Sequence, residues 1–132
     1  MSIDDKIDGK KRILVAEDNA SMRRLYQRAL GREYDVIAVE DGQKALDELA
    51  KSELAKSEFS LVISDVDMPN KNGWEFYQES SARYPAYKNR FLFSFTPQDH
   101  PVYDAVMKSG LPCIQKGFEI ESLMQNVKGL CK

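Results

Sequence analysis

Histidine and cysteine are scarce in this chain, and their scarcity closes off several chemistries. His100 is the single histidine among 132 residues, and it cannot build a metal site by itself. The two cysteines, Cys113 and Cys131, form no CxxC pair, so no zinc or redox motif is signalled. Two such distant cysteines fit a reducing cytoplasm, which is the expected location. No apolar stretch approaches the ~20 residues of a membrane span. The opening residues, Met1 to Arg12, are charged and lack the apolar core of a signal peptide. Charge of one sign is also missing. The formal net charge is −2, so no global field draws the chain to nucleic acid or to an acidic membrane. The one dense basic run, Lys10-Lys11-Arg12, reads as a solvated chain end. Neither nucleic acid nor membrane is expected as a partner.

What remains is an ordinary globular composition, 42% hydrophobic and 30% charged. The length is one domain's worth and is enough to bury a core without disulfides or metal staples. Residues 1–10 are expected to be a flexible segment and residues 11–132 one domain, with no linker or second domain after the last helix.

Two apolar patterns alternate along the chain. Ile13–Ala16, Tyr34–Val39, Phe59–Ser64, Phe91–Phe95 and Cys113–Gln115 are short β-rich or continuous apolar runs, read as strands. Between and after them lie helical stripes. Met22, Leu25, Tyr26, Ala29 and Leu30 form the first, ended by Gly31. Asp41-Gly42 opens the second, with Leu46, Leu49, Ala50 and Leu54 on one face. A weakly patterned helix from about Trp74 to Tyr84, a short one from Pro101 to Ser109, and a stripe from Ile120 to Cys131 complete the set. The near-duplication AKSELAKSE is predicted to extend the second helix by about a turn. Five βα units with buried strands predict a parallel sheet covered on both faces, doubly wound in the order 2-1-3-4-5 and flavodoxin-like.

Ligands of open α/β sheets bind at the carboxyl ends of the strands. Glu17 and Asp18 follow strand one, Asp65 and Asp67 strand three, Thr96 strand four and Lys116 strand five. Up to four carboxylates and one lysine therefore converge on one crevice. Acids at strand ends can cap the following helices, and that could account for Asp18. It does not account for three or four acids at one edge, because like charges at close range are costly unless compensated. A hard divalent cation compensates them, and magnesium suits a site that keeps several waters. A carboxylate beside such an ion is a competent nucleophile toward a phosphoryl group, giving an acyl phosphate. The metal and a lysine would neutralise the equatorial oxygens.

Three motifs, ILVAEDN at 13–19, LVISDVDMPNKNG at 61–73 and Lys116 with Phe118, resemble the response-regulator receiver family of two-component signalling. The resemblance covers Lys11 to Leu130, and the pattern D-x-x-M-P-x-x-x-G fits through Asp65, Met68, Pro69 and Gly73. It implies a phosphorelay receiver, with Asp65 the phosphoacceptor and Thr96 the switch hydroxyl. Asp18 and Asp65 would bind Mg²⁺ directly, Glu17 mostly through water, and Asp67 through its backbone carbonyl. Lys116 matches the family's lysine. The implied partners are a sensor histidine kinase or a His-containing phosphotransfer protein, and a downstream protein effector. No enzyme activity is implied beyond the domain's own phosphorylation and dephosphorylation. The stretch RYPAYKNRFLFSFT also resembles receivers attached to hybrid sensor kinases.

The chain departs from the family at three places. Pro97 stands where a residue with a free N–H is usual, Gly117 where proline is usual, and Cys113 where a switch aromatic is common. Ser94 is an alternative switch hydroxyl should strand four end early. With glycine at 117, the Lys116–Gly117 bond is expected to be trans. Trp74, Phe76 and Tyr77 read as helix and core residues, and Cys113 as a small core residue. Two rival readings are weighed. One is a haloacid-dehalogenase-like phosphatase using Asp65-Val66-Asp67, with Asp67 as general acid/base. The other is a degenerate receiver that serves as a constitutive docking module.

Overall fold

A computed structural model describes residues 9–97 and 101–131. Residues 1–8 and His100 lie outside the described residues. Five strands, β1 (Lys11–Ala16), β2 (Tyr34–Val39), β3 (Leu61–Asp65), β4 (Phe91–Phe95) and β5 (Cys113–Gln115), form one parallel sheet in the order β2-β1-β3-β4-β5. Five helices connect and follow them: α1 (Ala20–Leu30), α2 (Gly42–Ala55), α3 (Gly73–Arg83), α4 (Pro101–Ser109) and α5 (Ile120–Leu130). The doubly wound order expected from the sequence is the observed one.

Strand side chains alternate between two cores. Leu14, Val62, Phe91 and Phe93 pack with Leu46 and Leu49 of α2, Phe76 of α3 and Val106 of α4. Ile13, Val15, Ile63, Leu92 and Ile114 pack on the other face with Tyr26 and Leu30 of α1 and Leu123 and Val127 of α5. Trp74, Phe76 and Tyr77 belong to the first core as expected. Trp74 stacks on Tyr77 at 5.3 Å, and Tyr77 meets Phe91 edge-on at 4.9 Å.

Helix starts follow local capping chemistry. Asn19 accepts from the Met22 N–H at 3.0 Å and caps α1, so Asp18 is left free of that task. Asp41 caps α2, and Asn72 with Glu75 forms a capping box at α3. The repeated AKSE segment carries α2 to Ala55, and Lys56 then closes it in the left-handed conformation at φ 55°.

One element carries no sequence signal, and one local reading differs from the structure. A 3-10 turn at Pro85–Asn89 precedes β4, and its buried Tyr87 phenol oxygen accepts from the Phe59 N–H at 3.0 Å. The basic run Lys10-Lys11-Arg12 is not a solvated end. Lys11 and Arg12 lie in β1, Arg12 sits 4.2 Å over the Phe59 ring, and it pairs with Asp35 at 3.5 Å. Long aliphatic stems let these cations cover apolar surface while their charges find partners. Among the described residues no helix is long and apolar enough to cross a membrane.

Gly73 begins α3 where the helix abuts β3. A Cβ there would collide with the Asp65 carbonyl oxygen. Gly73→Ala is therefore expected to cost about 1–3 kcal/mol in urea unfolding. Gly129 on α5 has open space around it. Gly129→Ala should instead stabilise by about 0.5–1 kcal/mol. Equal effects of the two substitutions would show that the close approach at Gly73 does not constrain the fold.

Candidate functional site

The order β2-β1-β3 makes the ends of β1 and β3 neighbours, and three acids meet there. Carboxylate oxygens of Glu17, Asp18 and Asp65 all lie within 4.8 Å of one another, a group able to hold a metal ion. Asp65 is the last residue of β3 and is buried, as is Glu17, whereas Asp18 is exposed. The Lys116 N–H donates to the Phe95 carbonyl at 2.7 Å, which places Lys116 one residue past β5 beside the end of β4. Its ammonium reaches Asp65 Oδ2 at 2.7 Å and lies 3.4 Å from Glu17 Oε1. Of the sequence candidates, Glu17, Asp18, Asp65 and Lys116 thus converge directly.

Thr96 and Asp67 are exposed and line the same crevice, of about 350 Å³. The Asp67 carboxylate stands outside the three-acid group. The Lys116–Gly117 bond is trans, and Gly117 takes the turn at φ 89°. Cys113 is half-buried against the first core, and its thiol donates to the Leu111 carbonyl. Ser94 lies inside β4 as the register partner of Asp65, is fully buried, and does not line the crevice.

The electrostatics follow from crowding and burial. Burial, then the neighbouring Asp65 charge, raises the Glu17 carboxyl to about 7. Burial also raises Asp65, opposed by its hydrogen bond and charge interaction with Lys116 and by a hydrogen bond from the Asp67 amide. Burial alone would lower Lys116, but the hydrogen bond and charge of Asp65, with Glu17 behind them, leave it raised. The site therefore holds an ammonium beside two buried acids, Glu17 and Asp65, that are reluctant to ionise. Its donor set is all oxygen, the chemistry that hard divalent cations prefer.

Two supporting residues were invisible to sequence reasoning. The Arg23 guanidinium on α1 donates to the carbonyls of Glu17 at 2.9 Å and Asp18 at 3.0 Å, which fixes the turn that carries both acids. In the sequence it is one basic residue among several on a helix. Tyr26 is fully buried beneath the site, and its hydroxyl lies beside that of Ser94, outside hydrogen-bond geometry. Burial pushes this phenol's pKa far up, and the hydroxyl meets no hydrogen-bond partner among the described residues.

Two outcomes are expected. In metal-free protein, a Glu17 carboxyl raised from 4.5 to about 7 means that the fold keeps a proton which the unfolded chain has released. Stability then falls as pH rises between those values. A melting-midpoint series should show that slope, and Glu17→Gln should flatten it. A flat wild-type profile would contradict the burial argument. Tyr26→Phe removes a buried hydroxyl that no partner satisfies. It should leave unfolding free energy unchanged or raise it by about 1 kcal/mol. A clear loss in chemical denaturation would mean that the hydroxyl is engaged after all.

Comparison with known proteins agrees with this geometry. The family model described as the response regulator receiver domain matches residues 13–128. The response regulator protein FleR of Pseudomonas aeruginosa is 30% identical over 117 residues, covering 89% of this chain and 24% of its own length. The chain thus spans about a quarter of that relative. The response regulator receiver protein CpdR of Brucella abortus is 29% identical over 120 residues, covering 89% of this chain and 94% of its own. Among solved structures, the chemotaxis protein CheY4 of Vibrio cholerae superposes with a TM-score of 0.74 at 28% identity, covering 92% of this chain and 99% of that one. A receiver domain protein from Clostridium thermocellum shares the fold, with a TM-score of 0.78 at 17% identity and coverage of 92% and 94%. With the acids of β1 and β3 gathered around Lys116 and the family model spanning nearly all of the described sheet, this chain belongs to the response regulator receiver domain family.

Proposed function

We propose that this domain accepts a phosphoryl group on Asp65 in a magnesium-dependent phosphorelay. The observation that carries the reading is the 2.7 Å contact between the Lys116 ammonium and Asp65 Oδ2 inside a three-carboxylate group. Asp65 is the innermost acid that still opens onto the crevice, and it stands at the end of a rigid, fully buried strand.

A carboxylate oxygen of Asp65 attacks the phosphorus of a phosphohistidine on a kinase or phosphotransfer protein. The O–P bond forms as the N–P bond breaks, and the imidazole leaves with the electron pair. The transferred group develops charge on its equatorial oxygens, so catalysis here is positioning and charge neutralisation. Lys116 meets that charge from the β5 side, and the Thr96 hydroxyl is available at the crevice rim. Asp18 and Asp65 would hold Mg²⁺, with Glu17 acting through water and Asp67 through its carbonyl, and the ion supplies positive charge against the same oxygens. The three-acid group and its raised Glu17 carboxyl fit a divalent ion, because a cation removes the repulsion that burial amplifies. The domain catalyses only its own phosphorylation and dephosphorylation, works in the cytoplasm, and passes its state to a protein effector.

Intact-mass measurement after treatment with acetyl phosphate and Mg²⁺ should show one added phosphate. Asp65→Asn should abolish it, because an amide cannot form the acyl phosphate. Asp67→Asn should retain it, since the backbone carbonyl survives and one negative charge near the incoming anion is lost. A mass shift that persists in Asp65→Asn, or disappears in Asp67→Asn, would overturn this mechanism.

A further inference from the structure

Asp41 is a buried carboxylate outside the acid group, and its two oxygens serve two different elements. Oδ1 accepts from the Lys44 N–H at 2.8 Å and caps α2. Oδ2 accepts from the Asn70 side-chain amide at 3.0 Å. An N-cap needs only one side-chain acceptor, which serine supplies without bringing a charge indoors. The second oxygen therefore does something that capping does not require.

Asn70 sits in the loop between β3 and α3, and it lines the crevice. Its backbone is left-handed at φ 65°. Glycine adopts that conformation at no steric cost, whereas asparagine adopts it and adds an amide that can reach a partner. The same contact brings backbones close. A Cβ at Gly42 would lie 2.5 Å from the Lys71 carbonyl oxygen, so the start of α2 rests directly on this loop. The loop's ends are held separately. The Val66 N–H donates to Ser94, the Gly73 N–H donates to the Val66 carbonyl, and Asn72 caps α3. Between those ends lies Asp67, whose amide faces the Asp65 carboxylate.

We infer that Asp41 is a positioning residue for the phosphorylation centre: through Asn70 it holds the β3–α3 loop so that the Asp67 backbone stays on Asp65 and the metal. This rests on the function proposed above. It adds a requirement at a residue some distance along the sheet edge, in a helix cap that touches neither phosphate nor metal.

The test uses the whole chain and two conservative variants. Asp41→Ser keeps an acceptor for the Lys44 N–H and removes the one for Asn70. Asn70→Gly keeps the left-handed backbone and removes the amide. Mg²⁺ affinity of the unphosphorylated protein is measured by titration calorimetry, beside the melting midpoint and the rate of phosphate uptake from acetyl phosphate. Each single variant should weaken Mg²⁺ binding by about tenfold, the scale of lost support behind metal ligands. The double variant should be no weaker than the poorer single one, because both remove one contact. Asn70→Gly changes an exposed loop residue, so its affinity stays interpretable if Asp41→Ser melts early. Affinities within twofold of wild type, or losses that multiply in the double variant, would reduce Asp41 to a helix cap and overturn the inference. In that case wild type still takes up phosphate and the proposed function stands. A wild type that neither binds Mg²⁺ nor takes up phosphate would overturn both.

Discussion

Carboxylate repulsion at the end of β1 and β3 is the constraint around which this domain is built. Glu17, Asp18 and Asp65 bring oxygens within 4.8 Å of one another, with two of the three side chains buried. In a low-dielectric setting that arrangement raises the pKa of the two buried acids, Glu17 and Asp65. Lys116 is what holds it together, touching Asp65 and standing close to Glu17. The topology follows from this need. Only an order in which β1 sits next to β3, with β5 across β4, lets one ammonium reach acids from two other strands. The apolar strands beneath make that edge stiff, because their side chains are packed on both faces.

The parity of the strands then divides the surroundings of the site. Asp65 and Ser94 are register partners and share the face covered by α1 and α5, where Tyr26 closes the floor. Phe95 faces the other side and meets Tyr103 of α4 at 5.5 Å, next to the crevice rim. Ser94 therefore contributes a buried hydroxyl to the core, and Thr96 is the hydroxyl that lines the crevice. The two residues lie two positions apart on one strand path, yet only the one beyond the strand's end opens to solvent.

Much of this was legible in the residues themselves. The strands announce themselves as apolar runs because both sheet faces are covered, and the acids stand out because charged residues directly after such runs have few structural uses. The 3-10 turn at Pro85–Asn89 was not legible, since a segment with no apolar period gives no element, and Tyr87 is buried by long-range partners. The basic run at the chain's start looked solvated because its burial depends on Phe59 and Asp35, neither of which is local. Arg23 lies on a helix and Asp41 opens one, and nothing in their sequence context marks either for more. Their second roles depend on carbonyls and amides that only the folded chain brings near.

The departures from the family pattern shift weight within the site. Pro97 has no N–H, so the strand-four side of the crevice offers an anion one donor fewer. Compensation has to come from the strand-three side, where the Asp67 amide already faces Asp65. That side is the loop whose Asn70 is tied to the buried carboxylate of Asp41. A donor held by a second layer of hydrogen bonds costs no reorganisation when charge develops, whereas a free loop must order itself first. Tight anchoring of this loop is thus the physical counterpart of the missing donor at Pro97: the fewer backbone groups that an anion there could meet, the more each remaining one gains from being fixed in advance.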